Sequence, residues 1–537
     1  MAASRSPGSD GLPKEFYAKF FPIFGAELVA LINLSLDNGH MTESQRFSLI
    51  TLLCKDPKLH YLLKQWRPIS LMNVDAKIVG KVLSIRLRKV MPSIIHLDQT
   101  CGVQGRTISD NVHLLRNVFD YVEQKGTTAA LINLDMQKAF DRVSHFYLFR
   151  VLHAMGFGPE FIRWVEVYYT GISASVIVNG HVSDPFAIGR SVRQGCPLSP
   201  LLYVMSVEPF ANRIRRNPNI KGLQLPGVNL EAKISQYADD STMVVTTIKS
   251  ICIILEECQL FGSASGSLLN QAKSFGIFMG AWEHRIDQPC GLTWVTYKKL
   301  LGVIFGHGPT VAFNWRPTIS KFSKVLNYHK SRNISMYGRA TVANTLACSK
   351  LNYLGAHVPL PRDYDVRFTR ELFSFIWGKR HECIARSTMY LDPYEGGIGI
   401  VCPKIKCQAL LIRHIFLFLN YDREVYFPKW AYFAIYWIGF NLRKLRPDYG
   451  DNSSPHCLGF RPAFYADALK LFKLYEAEFS FEKWPCPTVK SIYVNLLAKT
   501  SFIRILSDSS ICENFHRLKF RMNKNLTTTF DYYMIHH

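Results

Sequence analysis

The chain has 537 residues, 48% hydrophobic and 13% aromatic, enough to bury real cores across roughly three or four domains, so disorder is excluded as its default state. Lysine and arginine total 64 against 41 acidic residues, a net charge of +23 with a pI near 9.4. That excess suits a polyanionic partner, and charge alone does not separate nucleic acid from an anionic membrane surface.

The chain opens "MAASRSPGSD", which has no apolar core, so no secretory signal is expected. Further along, in "TTAALINLDMQKAFDRVSH", the apolar run Ala129 to Leu134 predicts a buried central strand that ends at Asp135. A carboxylate at the mouth of such a strand suits a metal ligand in a sheet-based site. A helix capped near Ser144 should follow, with Leu148, Val151, Leu152 and Met155 on one face and a stop at Gly156.

The segment "GRSVRQGCPLSPLLYVMSVEPF" carries Ser199 before Pro200, a cap and first turn that predict a helix through Leu201, Leu202 and Met205. Ahead of it, "RQGCP" supplies a cation, an amide and a glycine that permits close backbone approach. Such a loop can clamp a nucleotide or simply connect a strand to a helix.

In "KISQYADDSTMVV" two strand-like runs flank a very short turn that holds Asp239 and Asp240. Aspartate is a poor strand former and adjacent carboxylates repel. A tight hairpin nevertheless fixes both at one tip, and a cation between or beside them turns the repulsion into attraction. Hard carboxylate oxygens suit Mg²⁺, which leaves coordination positions open for phosphate. Alone the pair is also compatible with a solvated turn; with Asp135 it becomes a candidate metal-binding constellation.

From Gln288 to Arg362 there is no aspartate or glutamate, where an average share would give about six. Lys321, Lys324, Lys330 and Arg332 lie in this window among interleaved aromatics, a pattern suited to nucleic-acid contact rather than to an ordinary solvated face. The run Trp430 to Leu442 is uncharged over too few residues to span a bilayer and reads as a buried helix, so no membrane partner is expected. The 13 cysteines show no paired framework, which fits a reducing, intracellular compartment. Cys402/Cys407 and Cys512/His516 each lack a second pair at ligand spacing, so no zinc site is expected.

Taken in order, "WRPISLMNVDAKI", "IIHLDQTCGVQGRTISDNV", "LDMQKAFDRVSH", "RQGCPLSPLLY", "QYADD", "SGSLLNQAKS" and "YKKLLGVIF" resemble the successive polymerase motifs of reverse transcriptases from LINE-type non-LTR retrotransposons. Upstream, "SPGSDGLPKEFY" is similar to that family's extra N-terminal motif. Downstream, "YGRATVANTL", "FIWGKR" and "PYEGGIGI" resemble its thumb and post-thumb region.

The resemblance implies an α+β right-hand polymerase with fingers, an antiparallel palm sheet backed by helices, and a helical thumb, followed by a mainly helical C-terminal region. The implied boundaries are an N-terminal extension and start of the fingers over 1–60, fingers and palm over 61–310, thumb and post-thumb over 311–400, and a truncated helical region over 401–537. It implies an RNA-directed DNA polymerase that binds RNA template, DNA primer, their hybrid and dNTPs, in nucleus and cytoplasm. Asp135, Asp239 and Asp240 would be the carboxylate triad for two Mg²⁺ ions. Phe140 takes the steric-gate position, and Gln194 and Gly195 would line the incoming nucleotide. Arg67 matches the fingers arginine that grips the triphosphate, and Lys273 a palm-region lysine near it. Leu301 and Gly302 would sit in the primer grip. A catalytically idle remnant that only binds nucleic acid is the alternative; a two-metal nuclease would leave the fingers, steric-gate and primer-grip segments unexplained. Full-length relatives usually carry an endonuclease ahead of the polymerase and often a C-terminal Cys/His-rich segment. Neither pattern is present, so the expectation is a polymerase core cut from a larger element.

Overall fold

The computed structural model describes residues 6–378, 380–419, 426–442 and 462–476. Cys512 and His516, and most of 401–537, lie outside them. The described residues divide into two compact units, one drawn from Met1–Thr310 and Tyr421–Pro462, the other from Val311–Asn420 and Ala463–His537.

The first unit is built on two five-stranded sheets. In one, β1 (Phe47–Cys54) pairs antiparallel with β2 (Trp66–Met72) and parallel with β4 (Ser173–Val178), and β4 in turn pairs with the short β5 (His181–Val182) and β6 (Phe186–Ala187). A two-stranded hairpin, β7 (Leu223–Gln224) with β8 (Glu231–Ala232), stands apart.

The other is the palm sheet. At its centre is β3 (Thr128–Leu134), flanked by β10 (Asp240–Val245) and β11 (Phe275–Gly280), with β9 (Ile234–Tyr237) beyond β10 and β12 (Thr293–Trp294) beyond β11. All pairs are antiparallel except β11 with β12. The apolar run of β3 is buried from Ala129 through Leu134, as a central strand covered on both faces requires. The helix after it runs His145–Ala154, with the Ser144 hydroxyl accepting from the Tyr147 amide and Gly156 at φ +76° just past its end. The helix Ser199–Arg216 buries Leu201, Leu202 and Met205. These two, with Val74–Ile94 and Ile248–Ser265, close one continuous apolar core behind the palm. Beyond the palm sheet, β13 (Tyr297–Leu300) and β14 (Val303–Gly306) form a separate hairpin.

The helix Trp430–Leu442, with Trp430, Phe433, Trp437 and Ile438 buried, lies on the helix Ile108–Lys125, where the Trp430 and Trp437 indoles donate to Asp110 (2.9 Å) and Gln124 (2.9 Å). The second unit centres on the helix Thr310–Lys330. Trp315 and Phe322 pack edge-on to Phe368, and the Trp315 indole donates to the Pro359 carbonyl at 2.9 Å. The Asn344 side chain spans to the backbone of Gly399 and Val401 (2.8 and 2.9 Å), which docks "GGIGI" against "TVANTL".

Two features depart from the sequence reading. Cys252 and Cys290 are joined as a disulfide, with Cα atoms 5.9 Å apart, although the cysteine spacing shows no pairing pattern. The two are 38 residues apart, and only the packing of the Ile248–Ser265 helix against the Pro289–Gly291 turn brings them together. Near the N-terminus, the 25-residue helix Lys14–Asn38 is long and apolar enough to cross a membrane by length and composition. It buries Tyr17 and Leu28 against Val74 and leaves Ile23 75% exposed and Leu34 50% exposed.

Candidate active site

The register of β3 against β10 positions the aspartates. Leu134 faces Ser241, so one step outward Asp135 comes opposite Asp240, a separation of about 5 Å between the side-chain roots. Asp240 in turn faces Tyr237 across a two-residue turn made of Ala238 and Asp239, with Ala238 at φ +54°. Asp135 and the adjacent pair Asp239 and Asp240, about a hundred residues apart, therefore meet at one end of the palm sheet.

Two side chains that sequence reasoning passed over hold this arrangement. Gln99 is fully buried; its Oε1 accepts from the Ala238 and Cys101 amides, both at 3.0 Å, and its Nε2 donates to the Ala238 carbonyl at 3.3 Å. That amide pins the turn carrying Asp239. Asn270 donates from Nδ2 to Asp135 Oδ2 at 2.8 Å, and its own backbone N–H donates to the Asp135 carbonyl at 2.7 Å. Both residues lie within motif segments visible in the sequence, "HLDQTC" and "SLLNQAK", but no local pattern marks their targets.

Charge is unbalanced here. Burial, then Asp239, then Asp135 push the Asp240 carboxyl up to about 6. Burial also raises Asp239, with Asp135 adding to the shift and Arg67 and Lys55 opposing it. Lys55 is pulled below the usual ammonium range by burial, Arg67 and Lys273, against the attraction of Asp135 and Asp141. Three cations thus face the carboxylates. Lys55 follows β1 directly, beside the register pair of Leu53 with Arg67, so the β1–β2 hairpin presents both. Lys273 is exposed and lines a cleft of about 290 Å³ with Asp135, Asn133 and Lys298.

Phe140 stacks on Tyr203, ring centroids 4.5 Å apart and nearly parallel. Tyr203 is buried, and burial followed by Asp239 and Asp240 raises its hydroxyl well beyond the ordinary phenol range, so the stack borders the aspartate pair. The loop before Ser199 rests on β2. The Gln194 carbonyl accepts from the Ser70 amide at 2.8 Å, and Gly195 at φ +113° would place a Cβ 2.6 Å from the Ser70 carbonyl oxygen. The Gln194 amide donates to Asp141 at 2.8 Å. The cation of this loop does not face a ligand: Arg193 is 2% exposed, with its guanidinium over the rings of Tyr168 and Tyr169. Its role is to pack the loop from within.

Leu301 and Gly302 are the two turn residues between β13 and β14, both at positive φ (46° and 84°), the conformation a two-residue hairpin turn demands. In the second unit, Lys321, Lys324 and Lys330 are exposed on the helix Thr310–Lys330, and Arg332 lies over the Tyr328 ring at 5.1 Å.

The reverse transcriptase (RNA-dependent DNA polymerase) family model matches residues 55–358, more than half the chain. The transposon TX1 uncharacterized 149 kDa protein of Xenopus laevis is 33% identical over 443 residues, covering 81% of this chain and 33% of that protein. The R2DM retrotransposable-element Pol polyprotein of Drosophila melanogaster is 28% identical over 285 residues, covering 52% and 25%. The RNA-directed DNA polymerase from the Drosophila melanogaster mobile element jockey is 27% identical over 255 residues, covering 47% and 26%. The chain thus spans about a third or less of these curated relatives. Among solved structures, telomerase from Candida albicans aligns with a TM-score of 0.37 at 12% identity, covering 78% of this chain and 69% of that one. By the extent of the family match and the retrotransposon polymerases it resembles, the chain belongs to the reverse transcriptase family, on its non-LTR retrotransposon side.

Proposed function

We propose that the chain is an RNA-directed DNA polymerase that transfers a deoxynucleotide from a dNTP to a primer 3′-OH on an RNA template. The observation that carries this reading is the β3–β10 register that sets Asp135 opposite Asp240 with Asp239 on the adjoining turn. Burial first, and then the charges of Asp239 and Asp135, lift Asp240 to about 6, and a divalent cation among these three hard oxygen donors would offset both. Asp135, Asp239 and Asp240 would hold two Mg²⁺ ions. Bound there, Mg²⁺ supplies charge neutralisation at the triphosphate and acidifies the primer hydroxyl.

The remaining roles fall to side chains. Lys55, Arg67 and Lys273 face the carboxylates as a cationic counterpart and would draw in and orient the triphosphate. Gly195 lets the loop backbone lie close on the fingers strand, and Gln194, tied to Asp141, would border the incoming nucleotide. Leu301 and Gly302 would support the primer end. The test is extension of a DNA primer annealed to an RNA template with Mg²⁺ and dNTPs; a folded chain that binds the hybrid without extending it would favour an idle nucleic-acid binder.

Phe140 is braced by the stack on Tyr203, which supports a steric-gate role in which its ring would crowd a ribose 2′-OH. Phe140→Ala should raise ribonucleotide over deoxynucleotide incorporation by about tenfold or more, because steric exclusion is removed while the metal ligands remain. A competition assay reads the ratio, and an unchanged value would make Phe140 a packing residue only.

The exposed cations of the second unit suit the hybrid backbone. Replacing Lys321, Lys324, Lys330 and Arg332 together by glutamine should weaken hybrid binding with little regard to sequence. The log–log salt dependence should become shallower by roughly 0.7–0.9 for each phosphate that no longer meets a cation. A slope that does not change would assign these charges to solvent.

A further inference from the structure

A second cluster of ligand-type side chains lies at the opposite end of the palm sheet. β11 pairs Gly280 with Thr128, the first residue of β3, whereas Asp135 follows its last. Seven strand residues put the two ends about 20 Å apart. There His307, directly after β14, meets Glu123 of the helix Ile108–Lys125 and Glu283 of the turn after β11, with one ligand atom from each within 4.8 Å of the others.

The tautomer of His307 follows from its partners. Nε2 lies 2.7 Å from the Phe278 carbonyl oxygen, which can only accept, so Nε2 carries a hydrogen. In the neutral ring Nδ1 is then a bare lone pair, and it faces Glu283 Oε1 at 3.1 Å and Glu123 Oε1 at 3.9 Å. Glu123 Oε1 also accepts from the Gly280 amide at 3.2 Å, and a cation, either a proton or a metal, would join the lone pairs that remain on the three atoms. The two separations from Nδ1, 3.1 and 3.9 Å, lie on either side of the spacing of about 3.3 Å that bonds of about 2.0–2.1 Å in a tetrahedron put between neighbouring ligand atoms. A backbone carbonyl on the distal ring nitrogen is also what orients metal-bound histidines. The imidazole nitrogen favours a borderline transition ion over Mg²⁺ or Ca²⁺. The His307 side chain is 17% exposed and those of the two glutamates 44% and 35%, which leaves a path for the ion and room for a water.

We infer that His307, Glu123 and Glu283 form a binding site for a divalent transition-metal ion of the Zn²⁺ class, which clips the β13–β14 hairpin to the back of the palm. The three donors come from three separate segments, so an ion bound there cross-links the residue that ends the Leu301–Gly302 hairpin to β11 and to the helix behind it. The site is separate from the aspartate triad and does not depend on what that triad does.

The test uses the full chain, stripped of metal by a chelator and then titrated with Zn²⁺ alone and with Co²⁺ alone. The parent, His307→Gln, Glu283→Gln and Asp239→Asn would be compared. The expected result is one Zn²⁺ whose affinity falls by about a hundredfold or more in both cluster variants and holds within threefold in Asp239→Asn. The Co²⁺ complex should lack thiolate charge-transfer bands, which sets cysteine binding aside, and Zn²⁺ should raise the unfolding midpoint of the parent but not of His307→Gln. Glu283 sits in a half-exposed turn, so its variant keeps the experiment readable should His307→Gln fold poorly. Equal Zn²⁺ affinity in parent and Glu283→Gln, or binding abolished only in Asp239→Asn, would overturn the proposal and leave the cluster a proton-bridged ion pair.

Discussion

Asp135→Asn should slow single-turnover primer extension by roughly a thousandfold or more, since losing an anionic ligand removes several kcal/mol of transition-state stabilisation. The substitution preserves shape, and asparagine keeps a side-chain oxygen where Asn270 donates to the carboxylate, so the strand end should hold its place. Hybrid affinity should stay within about threefold, because the exposed cations of the helix Thr310–Lys330 are untouched. Quench-flow extension with a parallel filter-binding titration separates the two effects. Extension within tenfold of the parent would remove Asp135 from the triad.

The second large effect is on stability. Asp98 has a side chain only 1% exposed and meets Lys429 at 2.7 Å, His96 at 3.0 Å and Arg215 at 3.7 Å. Burial by itself would raise its carboxyl; Lys429 and His96 outweigh that and hold it well below the usual carboxylate range. Asp98→Asn should destabilise the chain by about 3–5 kcal/mol at neutral pH, because the Lys429 and Arg215 charges stay behind in a low-dielectric site. A folded-state pKa below the unfolded value means this stabilisation is complete above about pH 4 and is lost as pH falls toward the folded value. The urea midpoints of parent and variant should therefore differ widely at pH 7 and converge on acidification below about pH 4. A pH-independent gap would assign the effect to packing. Catalysis should feel the change too, since the Asp98 carbonyl accepts from the Gln236 amide and Gln99 holds the next turn of that strand.

What was legible in the sequence is what local pattern encodes. The apolar run before Asp135, the Ser144 cap, the Ser199–Pro200 helix start and the tight "YADDS" turn each depend on a few neighbouring residues, and each took the form those residues dictate. Even the Trp430–Leu442 helix was readable, because a short, charge-free apolar run is buried if it does not span a bilayer. Functions that cross from one segment to another were not. Gln99 acts on Ala238 and Asn270 on Asp135, more than a hundred residues away in each case, and both look like ordinary loop amides until the sheet forms. The cation of "RQGCP" was open to a nucleotide-clamping or a merely connecting loop, and two tyrosine faces from the helix Pro159–Tyr169 take Arg193 into the interior. Cys252 and Cys290 read as unpaired because disulfide geometry is a matter of distance and direction, not of spacing along the chain. The N-terminal helix was missed as an apolar element because Lys19 and Glu27 interrupt its run, although its mean hydropathy over a helical window remains high.

A polymerase built on Asp135, Asp239 and Asp240 is tested by single-nucleotide addition by the parent and by Asp239→Asn, side by side, to a DNA primer annealed to RNA. Asp239 is the residue that belongs to neither strand and reaches the site only through the turn that Gln99 holds. The expected result is Mg²⁺-dependent addition of the templated dNTP by the parent, abolished by chelation. Asp239→Asn should add at least about a thousandfold more slowly at unchanged hybrid affinity. Addition by Asp239→Asn at the parent's rate, or a correctly folded parent that binds the hybrid and adds nothing, would contradict a polymerase built on these three aspartates.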